Sequence, residues 1–293
     1  MSARPSKSTM ASPPGISARH FDRVARGYEK HAAVQSEAAK RLLERLDGLR
    51  FQPRTILEIG CADGRQCRAL KQRFPGARVI GLDFSPGMLD QARSGRGWWK
   101  KRYELIRAGG ARLPLADGCM DLVYANLSLG WIPEPEQALA EMRRVLRPDG
   151  LALVSLFGPD TLGEWRAELA SHATLGVFVS DVQQLGANLT RAGFAEPVLD
   201  TDWITTLHGD AAALLDDLAG AALLSDPDSC REELIEALRQ RRERLPDSSG
   251  QFQTTWEIVS ASSWAPQPGQ PIRSADGEEV SIPPGSIGVR RRD

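Results

Sequence analysis

Cysteine, histidine and tyrosine are all scarce in this chain of 293 residues. The four cysteines show neither a C-x-x-C spacing nor a nearby pair of histidines: Cys61, Cys67, Cys119 and Cys230. The sequence therefore indicates neither a zinc site nor a disulfide framework. We expect a soluble protein of a reducing compartment that holds no metal.

Long apolar runs and an excess of either charge are also missing. No apolar run approaches the ~20 residues that a membrane helix needs, so no membrane span is expected. Lys and Arg number 37 against 38 Asp and Glu, which leaves a net charge of -1. A dedicated nucleic-acid binder would show a basic excess, so we expect no nucleic-acid partner.

The composition that remains is that of a globular protein, with 41% hydrophobic and 26% charged residues. We expect a disordered tail over residues 1–20, one domain over 21–264 and an irregular tail over 265–293. The first 20 residues contain Arg, Lys and Ser but no acid, so a mitochondrial transit peptide is the alternative to a plain tail. The expected parts of the domain are lid helices (21–50), a ligand-binding half (51–160) and a substrate-side half (161–264).

Short apolar runs alternate with amphipathic helical stretches between residues 55 and 157. The predicted strands are 55–59, 78–83, 103–107, 120–126 and 151–157, and the predicted helices lie near 65–74, 86–93 and 135–146. This alternation is typical of an α/β, doubly wound and mostly parallel sheet with helices on both faces. Pro148-Asp149-Gly150 predicts a turn between the last of these helices and its strand.

Beyond residue 157 the alternation loosens. The predicted helices are 161–172, 182–192, 211–218 and 231–245, and the predicted strands are 197–205 and 252–262.

The segment LEIGCADG, residues 57–64, joins the first predicted strand to its helix. In α/β sheets this junction is where nucleotides bind. Gly60 lets the backbone pass close to a ligand, and Gly64 permits the turn into the helix. Asp83 ends the next strand, where its carboxylate is placed to accept hydrogen bonds from both hydroxyls of a ribose.

The spacing within the loop separates two nucleotide-binding classes. A dinucleotide fingerprint would need a third glycine at position 65, which is Arg65. Gly60-x-Ala62-x-Gly64, with Glu58 two residues ahead, instead resembles the loop of S-adenosylmethionine (AdoMet) methyltransferases, in which no pyrophosphate is held. A glycine-rich turn that binds nothing is the alternative.

Two longer stretches resemble class I AdoMet methyltransferases from end to end: ARLPLADGCMDLVYANLSLGWI (111–132) and ALAEMRRVLRPDGLALVSLFGPDTLGEWR (138–166). Three segments are similar to the malonyl-[acyl-carrier protein] O-methyltransferase family of biotin synthesis: FDRVARGYEKHAAVQ (21–35), NLSLGWI and FGPDTLGEWR. The resemblance covers residues 21–264. It implies a seven-stranded Rossmann-like sheet with an N-terminal helical lid and an α-helical insertion near the C-terminus.

The resemblance also implies AdoMet as methyl donor, no metal, and transfer of its methyl group to the free carboxylate of malonyl-acyl carrier protein. The implied cofactor-binding residues are Glu58, Gly60, Ala62, Gly64, Asp83, Phe84, Met88, Gly109, Asn126 and Leu127. The implied catalytic residues are Tyr28, His31 and Arg166.

Two positions depart from the family pattern. Most members carry glycine where this chain has Ala62, a change that is tolerable if φ is negative there. Many relatives hold the adenine amino group with an acid after the third strand, whereas residues 107–110 offer none. We therefore expect backbone groups to hold the adenine.

Methyl transfer to a carboxylate needs no general base, because a carboxylate with an ordinary pKa near ~4 is ionised at neutral pH. The histidines show no motif spacing and are interpreted as surface or helix-face residues. Arg166 is the leading candidate to orient the acceptor carboxylate, since a guanidinium can bind one bidentately; a solvated helix arginine is the alternative. Tyr28 and His31 resemble lid residues, and Tyr28 is equally compatible with packing on the sheet.

An acyl carrier protein is acidic, so a basic docking face is expected. The candidate clusters are Lys100-Lys101-Arg102, Arg143-Arg144-Arg147 and the arginines between 239 and 244. We expect a cytoplasmic monomer, or a mitochondrial protein if the first segment is a transit peptide. Three alternatives stay open: another small acid or quinone precursor as acceptor, a mitochondrial complex I assembly methyltransferase-like protein, and a non-catalytic AdoMet-binding regulator.

Overall fold

A computed structural model describes residues 17–95, 103–172, 179–224, 230–245, 250–269, 272–274 and 277–279. Seven strands of this described chain are Thr55–Ile59 (β1), Arg78–Asp83 (β2), Glu104–Arg107 (β3), Met120–Asn126 (β4), Leu146–Phe157 (β5), Ala195–His208 (β6) and Phe252–Trp264 (β7). They form one sheet in the order β3-β2-β1-β4-β5-β7-β6. Strands β1 to β5 pair in parallel, and β7 runs antiparallel to both of its neighbours. The α/β class and the mostly parallel seven-stranded sheet are confirmed.

Helices cover both faces of the sheet. Within the described residues they are Ala18–Val24 (α1), Tyr28–His31 (α2), Ala33–Glu44 (α3), Arg65–Arg73 (α4), Pro86–Ser94 (α5), Pro135–Val145 (α6), Arg166–His172 (α7), Val182–Arg191 (α8), Ala211–Gly220 (α9) and Arg231–Glu243 (α10). Helices α1 and α2 form the lid, and α9 and α10 form the insertion between β6 and β7.

The centre of the sheet is apolar on both faces. The core side chains of β1 and β4, such as Leu57 and Val123, are wholly buried because helices cover them from both sides. From β1 the chain proceeds outward to β2 and β3, then returns to place β4 on the other flank of β1. Such a reversal opens a crevice at the carboxyl ends of the two central strands, which is where ligands bind in this architecture.

The start of α5 is fixed by two local signals. Ser85 precedes the helix, and its Oγ accepts a hydrogen bond from the backbone N of Met88 at 3.1 Å. Pro86 follows at the first helical position, where its missing N–H costs nothing. The cap sets α5 directly after Asp83, the last residue of β2.

Two expected boundaries were wrong. Pro148-Asp149-Gly150 lies inside β5 as an irregularity in its pairing with β4, with Asp149 at φ +60°. The helix expected from residue 161 begins at Arg166, because Leu162 has φ +59° and its N–H donates to the Thr255 carbonyl at 2.8 Å. That hydrogen bond joins the turn before α7 to β7, so the helix does not begin at residue 161.

The two expected tails also contain structure. Helix α1 begins at Ala18, and His20 within it is only 8% exposed, so the folded chain starts before residue 21. Residues 1–16 lie outside the described residues. After residue 265 two short strands, Ile272–Ser274 (β8) and Gly277–Glu279 (β9), pair antiparallel where an irregular chain was expected.

Strand β6 lies at the edge of the sheet and is partly covered by arginines of α3. Arg41 Nη1 donates to the carbonyl of Trp203 at 3.2 Å, and Arg45 Nη2 donates to that of Val198 at 3.2 Å. The side chains of Val198 and Trp203 themselves are exposed. The arginines therefore bind backbone carbonyls of this edge strand.

Candidate active site

A pocket opens at the carboxyl ends of β1, β2 and β4, under the lid. Its floor is the loop after β1, and one wall is formed by the segment after β4. The lid contributes Phe21 and Tyr28, and the segment that follows α9 in the insertion contributes Ala221 and Leu223. The pocket thus lies where the reversal of strand order predicts a ligand.

Gly60 brings the floor of the pocket against the segment after β4. Its φ is +74°, and an added Cβ would lie 2.4 Å from the Cβ of Ser128. Both the backbone conformation and the lack of space therefore exclude a side chain at position 60. Ser128 itself is buried, and its Oγ has no hydrogen-bond partner among the described residues.

Ala62 has a positive φ of +44°, so the condition under which alanine replaces glycine without strain, a negative φ, is not met. Its N–H donates to Asp83 Oδ2 at 2.9 Å, which ties the loop to the end of β2. The position that relatives fill with glycine is therefore a glycine-like conformation in this chain too. A left-handed alanine costs on the order of 1 kcal/mol, which this hydrogen bond helps to offset.

Gly64 serves the packing of helices rather than the pocket. It has φ +73°, and an added Cβ would lie 2.5 Å from the hydroxyl of Tyr103 and 2.9 Å from the Cβ of Ala92. It does not line the pocket. The glycine permits the turn into α4 close against α5.

Asp83 lies at the pocket with its side chain 5% exposed. Oδ2 accepts from Ala62 N and Oδ1 accepts from Ser85 N, each at 2.9 Å. Burial raises the pKa of this carboxyl to about 6, although these backbone hydrogen bonds oppose the shift. A carboxylate offers about four acceptor positions, so two remain for a ligand.

Glu58 lines the pocket at the end of β1 and is 3% exposed. Burial, with a smaller contribution from the nearby carboxylates Asp63 and Asp83, raises its pKa to about 8 against a hydrogen bond from Cys67. Its Oε2 has no hydrogen-bond partner among the described residues. A buried acid with an open acceptor atom fits a ligand that carries positive charge.

Three aromatic rings close one side of the pocket. Phe21 of the lid packs edge-on against Phe84 and against Trp131, with both centroid distances at 5.3 Å. Tyr28 also lines the pocket, and burial, with Asp63 adding to it, raises the pKa of its hydroxyl, so that the group remains a proton donor. The lid therefore contributes both apolar cover and one hydrogen-bond donor.

The segment after β3 lines the pocket through Ala108 and Gly110. An added Cβ on Gly110 would lie 2.4 Å from Cδ1 of Ile132, so backbone and Ile132 are in close contact there. No acid of this segment faces the pocket among its lining residues. Gly109 is exposed and does not line the pocket, contrary to its expected place.

The remaining expected cofactor residues fall into two groups. Phe84, Asn126 and Leu127 line the pocket. Asn126 is held by its amide, which donates to the Gln35 carbonyl at 3.0 Å, while its Oδ1 accepts from Ser155 Oγ at 2.9 Å. Met88 does not line the pocket; it is wholly buried and packs under the lid against Phe21.

His31 is turned away from this pocket. Its Nδ1 lies 2.7 Å from Asp217 Oδ1 on α9, and the other oxygen of Asp217 lies 3.0 Å from Nε2 of His208. The three side chains join the lid, the insertion and the end of β6. His31 is therefore placed as a link between elements. His20 lies on α1 as a helix-face residue, whereas His208 ends β6 and is 8% exposed, so the interpretation of the histidines as surface or helix-face residues was wrong for His208.

Arg166 does not reach the pocket either. It opens α7, and its Nη2 donates back to the carbonyl of Thr161. Its Nε is buried without a hydrogen-bond partner among the described residues. The left-handed turn at Leu162 directs the start of α7 toward β7, so the structure does not support contact between Arg166 and an acceptor in the pocket.

Asp22 is a site residue that the sequence did not reveal. On the lid, its Oδ1 accepts from Ser85 Oγ at 2.6 Å and from the backbone N of Gly87 at 2.7 Å. It thereby fastens α1 to the start of α5, next to Asp83. An acid on an amphipathic helix is normally a solvated residue, so no sequence signal distinguished it.

The residues described above contain neither a membrane-spanning helix nor a cluster of metal ligands. None of their helices is both long and apolar enough to span a membrane. They contain no group of three His, Cys, Asp or Glu side chains that could hold a metal ion.

Solved structures share the fold of this chain. A methyltransferase from Bacillus halodurans aligns with a TM-score of 0.59 at 17% identity, over 79% of this chain and 100% of that one. A Haemonchus contortus phosphoethanolamine N-methyltransferase 2, solved with S-adenosyl-L-methionine, aligns with a TM-score of 0.58 at 15% identity, over 87% of this chain and 61% of that one. At these identities the likeness concerns the fold.

Sequence relatives extend over nearly the whole chain. Residues 57–154 match a family described as a methyltransferase domain. A malonyl-[acyl-carrier protein] O-methyltransferase from Xylella fastidiosa is 37% identical over 94% of this chain and 96% of its own length. One from Halorhodospira halophila is 35% identical over 94% of this chain and 95% of its own length. The chain belongs to the malonyl-[acyl-carrier protein] O-methyltransferase family.

Proposed function

We propose that this protein transfers the methyl group of AdoMet to the free carboxylate of a malonyl group carried on acyl carrier protein. The main observation that supports AdoMet as the methyl donor is the position of Asp83. Its carboxylate faces the pocket with two acceptor positions left over after binding Ala62 and Ser85. The acceptor half rests on the names of relatives that match this chain over nearly its full length.

The residues present fit AdoMet. Gly60 leaves the floor free of a side chain, and Asp83 can accept from the two hydroxyls of a ribose. Glu58, with its open Oε2, suits the positive charge of the methionine part. When bound, AdoMet supplies a methyl group on a sulfonium, which is an already activated electrophile. Without an acid after β3, backbone groups beside Ala108 and the apolar side chains of Phe84 and Ile132 would hold the adenine.

The protein's own contribution to the reaction is positioning and exclusion of water. A malonyl carboxylate is ionised at neutral pH, so no side chain has to remove a proton. Phe21 of the lid and Trp131 after β4, together with Phe157 and Leu223, give the acceptor side of the pocket apolar walls. Tyr28 keeps its proton and can donate a hydrogen bond to the acceptor carboxylate, which aligns the attacking oxygen.

The place of action follows from the same relatives. Xylella fastidiosa and Halorhodospira halophila are bacteria, which supports a bacterial cytoplasm over a mitochondrion. No complex I assembly protein is among the names that support the proposal.

The test is methyl transfer from radiolabelled AdoMet to malonyl-carrier protein, with succinyl- and acetyl-carrier protein as comparison acceptors. We expect turnover of the malonyl form and none of the acetyl form, which has no carboxylate. AdoMet binding without turnover of any acyl-carrier protein would contradict the enzymatic proposal and favour a regulator. Preferred turnover of a free small acid would reassign the acceptor.

The cofactor assignment is tested separately by calorimetry with Asp83→Ala. Loss of the hydrogen bonds to a charged group should weaken AdoMet binding by about 1.5–3 kcal/mol, or roughly 10- to 150-fold. Asp90→Ala, on the exposed face of α5, is the matched control and should bind as the wild type does. Unchanged affinity in Asp83→Ala would overturn the assignment.

A further inference from the structure

The outer face of the lid carries a row of basic side chains. Arg19, Arg23, Arg26 and Lys30 recur at intervals of four, three and four residues, and all are exposed. The opposite face of the same helices is buried through His20, Phe21 and Ala25. Arg19 and Arg23 lie on α1, Arg26 lies in the turn between the two helices, and Lys30 lies on α2, so the four exposed charges follow one another along the lid. We call this row the lid stripe.

None of the four side chains of the lid stripe forms an ion pair within the described chain. The outward-facing acid between them, Glu29, is turned to Arg65, with Oε1 3.6 Å from Nη2. Asp22 points inward to Ser85 and Gly87. The stripe is therefore an uncompensated positive surface on a chain whose net charge is -1.

The arginines of one cluster expected to dock a carrier, Arg143-Arg144-Arg147, form contacts within the protein. Arg144 binds Glu141 and Asp117, each at 2.8 Å or less. Arg147 Nε lies 2.5 Å from Asp121 Oδ1, and Arg143 Nε donates to the Gly193 carbonyl.

A second expected cluster gives no comparable surface. On α10, Arg241 donates to the Glu164 carbonyl, and the same helix presents the acids Glu232, Glu233, Glu236 and Glu243. Lys100-Lys101-Arg102 lies outside the described residues.

The lid stripe lies next to the active site. The helices that bear it line the pocket through Phe21 and Tyr28. Arg23 also lines a crevice between the lid and the insertion, whose far wall includes Ala219 and Leu224. Ala221 and Leu223, between those two residues, line the pocket itself. A protein bound on the stripe would thus be separated from the pocket only by the lid and this short segment.

We infer that the lid stripe is the docking surface for the acyl carrier protein, and that it binds a row of carboxylates on an acidic helix of that partner. This inference rests on the proposed function, which supplies the partner. Unpaired positive charge opposite an acidic helix accelerates encounter and fixes orientation, and both effects weaken with salt. Docking there also makes the lid the element that senses the arrival of substrate.

The test compares two charge reversals of equal size. Arg23→Glu/Arg26→Glu removes the middle of the lid stripe, and Arg239→Glu/Arg244→Glu removes two exposed, unpaired arginines at the end of α10. Binding of malonyl-carrier protein is measured by fluorescence anisotropy, and KM and kcat are measured at 50 and 300 mM salt. AdoMet affinity checks that each variant is folded, and the milder Arg23→Gln/Arg26→Gln checks that the lid tolerates the change.

We expect the lid reversal to weaken carrier binding and to raise KM at least tenfold at low salt, with a flatter salt dependence. The kcat at saturating carrier and the AdoMet affinity should stay within about twofold of the wild type. The glutamine pair should give a smaller loss in the same direction, and the α10 reversal should behave as the wild type.

Carrier binding that is equal in both reversals, or lost only in the α10 variant, would overturn the docking surface. Failure of the proposed function looks different. In that case the wild type binds the carrier, or fails to, without methylating it.

Discussion

Glu58 lies at the end of β1 with its side chain 3% exposed, and burial raises its pKa to about 8 from an ordinary value near 4.5. Between these two values the folded protein keeps a proton that the unfolded chain has released. Above about pH 8 both states are ionised, and only the folded state bears the cost of a buried charge. The stability of the ligand-free protein should therefore fall as the pH rises through this window.

Glu58→Gln should accordingly stabilise the ligand-free protein at high pH, by a few kcal/mol at pH 8.5, and leave it almost unchanged at pH 5. Thermal unfolding at the two pH values checks this. The exposed Glu243→Gln is the control and should have no effect at either pH. The stabilised variant should also bind AdoMet at least tenfold more weakly, because it no longer offers a carboxylate to a cationic ligand. An equal stability gain at both pH values would mean that the carboxyl is ionised throughout.

Gly60 and Gly76 allow a matched test of the pocket floor. Gly60→Ala places a Cβ 2.4 Å from Ser128 Cβ at a φ of +74°, whereas Gly76→Ala meets nothing within 4 Å. We expect Gly60→Ala to unfold at lower temperature and to lose AdoMet binding at least 30-fold, and Gly76→Ala to match the wild type. Calorimetry measures the AdoMet affinity of both variants, and thermal unfolding measures their stability. Normal AdoMet affinity in Gly60→Ala would mean that the loop can move away from Ser128 without cost.

The lid is the element on which ligand exchange depends. Asp22 fastens α1 to α5 through Ser85 Oγ and Gly87 N, and Phe21 packs between Phe84 and Trp131. The charge-assisted hydrogen bonds of Asp22 hold the helix, while the aromatic contacts are nondirectional and tolerate small movements. Release of a ligand from beneath the lid therefore has to break the Asp22 contacts first.

Asp22→Asn should raise the rate at which AdoMet dissociates by about tenfold, because an amide binds Ser85 and Gly87 more weakly than a carboxylate does. The melting temperature should change by only a few degrees, since most of the core lies elsewhere. Stopped-flow fluorescence measures the dissociation rate. Asp90→Asn, on the exposed face of α5, is the control. Unchanged dissociation in Asp22→Asn would show that α1 is not the gate.

The elements of the first half were predictable from the sequence because each is set by a local pattern. Strands β1, β2 and β4 are short apolar runs buried on both faces, and Ser85-Pro86 marks the start of α5. The limits of α7 were not predictable, since the left-handed Leu162 is imposed by its hydrogen bond to Thr255, 93 positions further along the chain.

Site residues were predictable where their position is set by neighbouring residues in the sequence. Glu58, Gly60 and Asp83 follow from the strand ends on which they lie. His31 and Arg166 were misplaced because their surroundings, Asp217 and the turn at Thr161, are fixed only when the insertion and β7 pack. The conformation of Ala62 was not predictable for the same reason, since its positive φ depends on the Asp83 carboxylate.

For the molecule as a whole, the absence of a required base sets the pH behaviour of the reaction. The acceptor carboxylate is ionised throughout the neutral range, and the pocket hydroxyl of Tyr28 keeps its proton there. With both substrates saturating, the single-turnover rate constant should vary less than about twofold between pH 6.5 and 8.5. Rapid-quench measurements check this. A tenfold rise per pH unit within that range would require a titrating base.

The arginines along β6 have a consequence for how the molecule behaves in concentrated solution. An edge strand with open backbone acceptors can recruit the strand of another molecule, and β6 adds exposed apolar side chains at Val198, Trp203 and Leu207. Arg41 of α3 and Arg45, the residue after this helix, bind two backbone carbonyls of β6 with charged, hydrated groups. Helix α3 thus protects the sheet from intermolecular strand pairing. A lineage that lost both arginines would keep its catalytic pocket and become prone to aggregation.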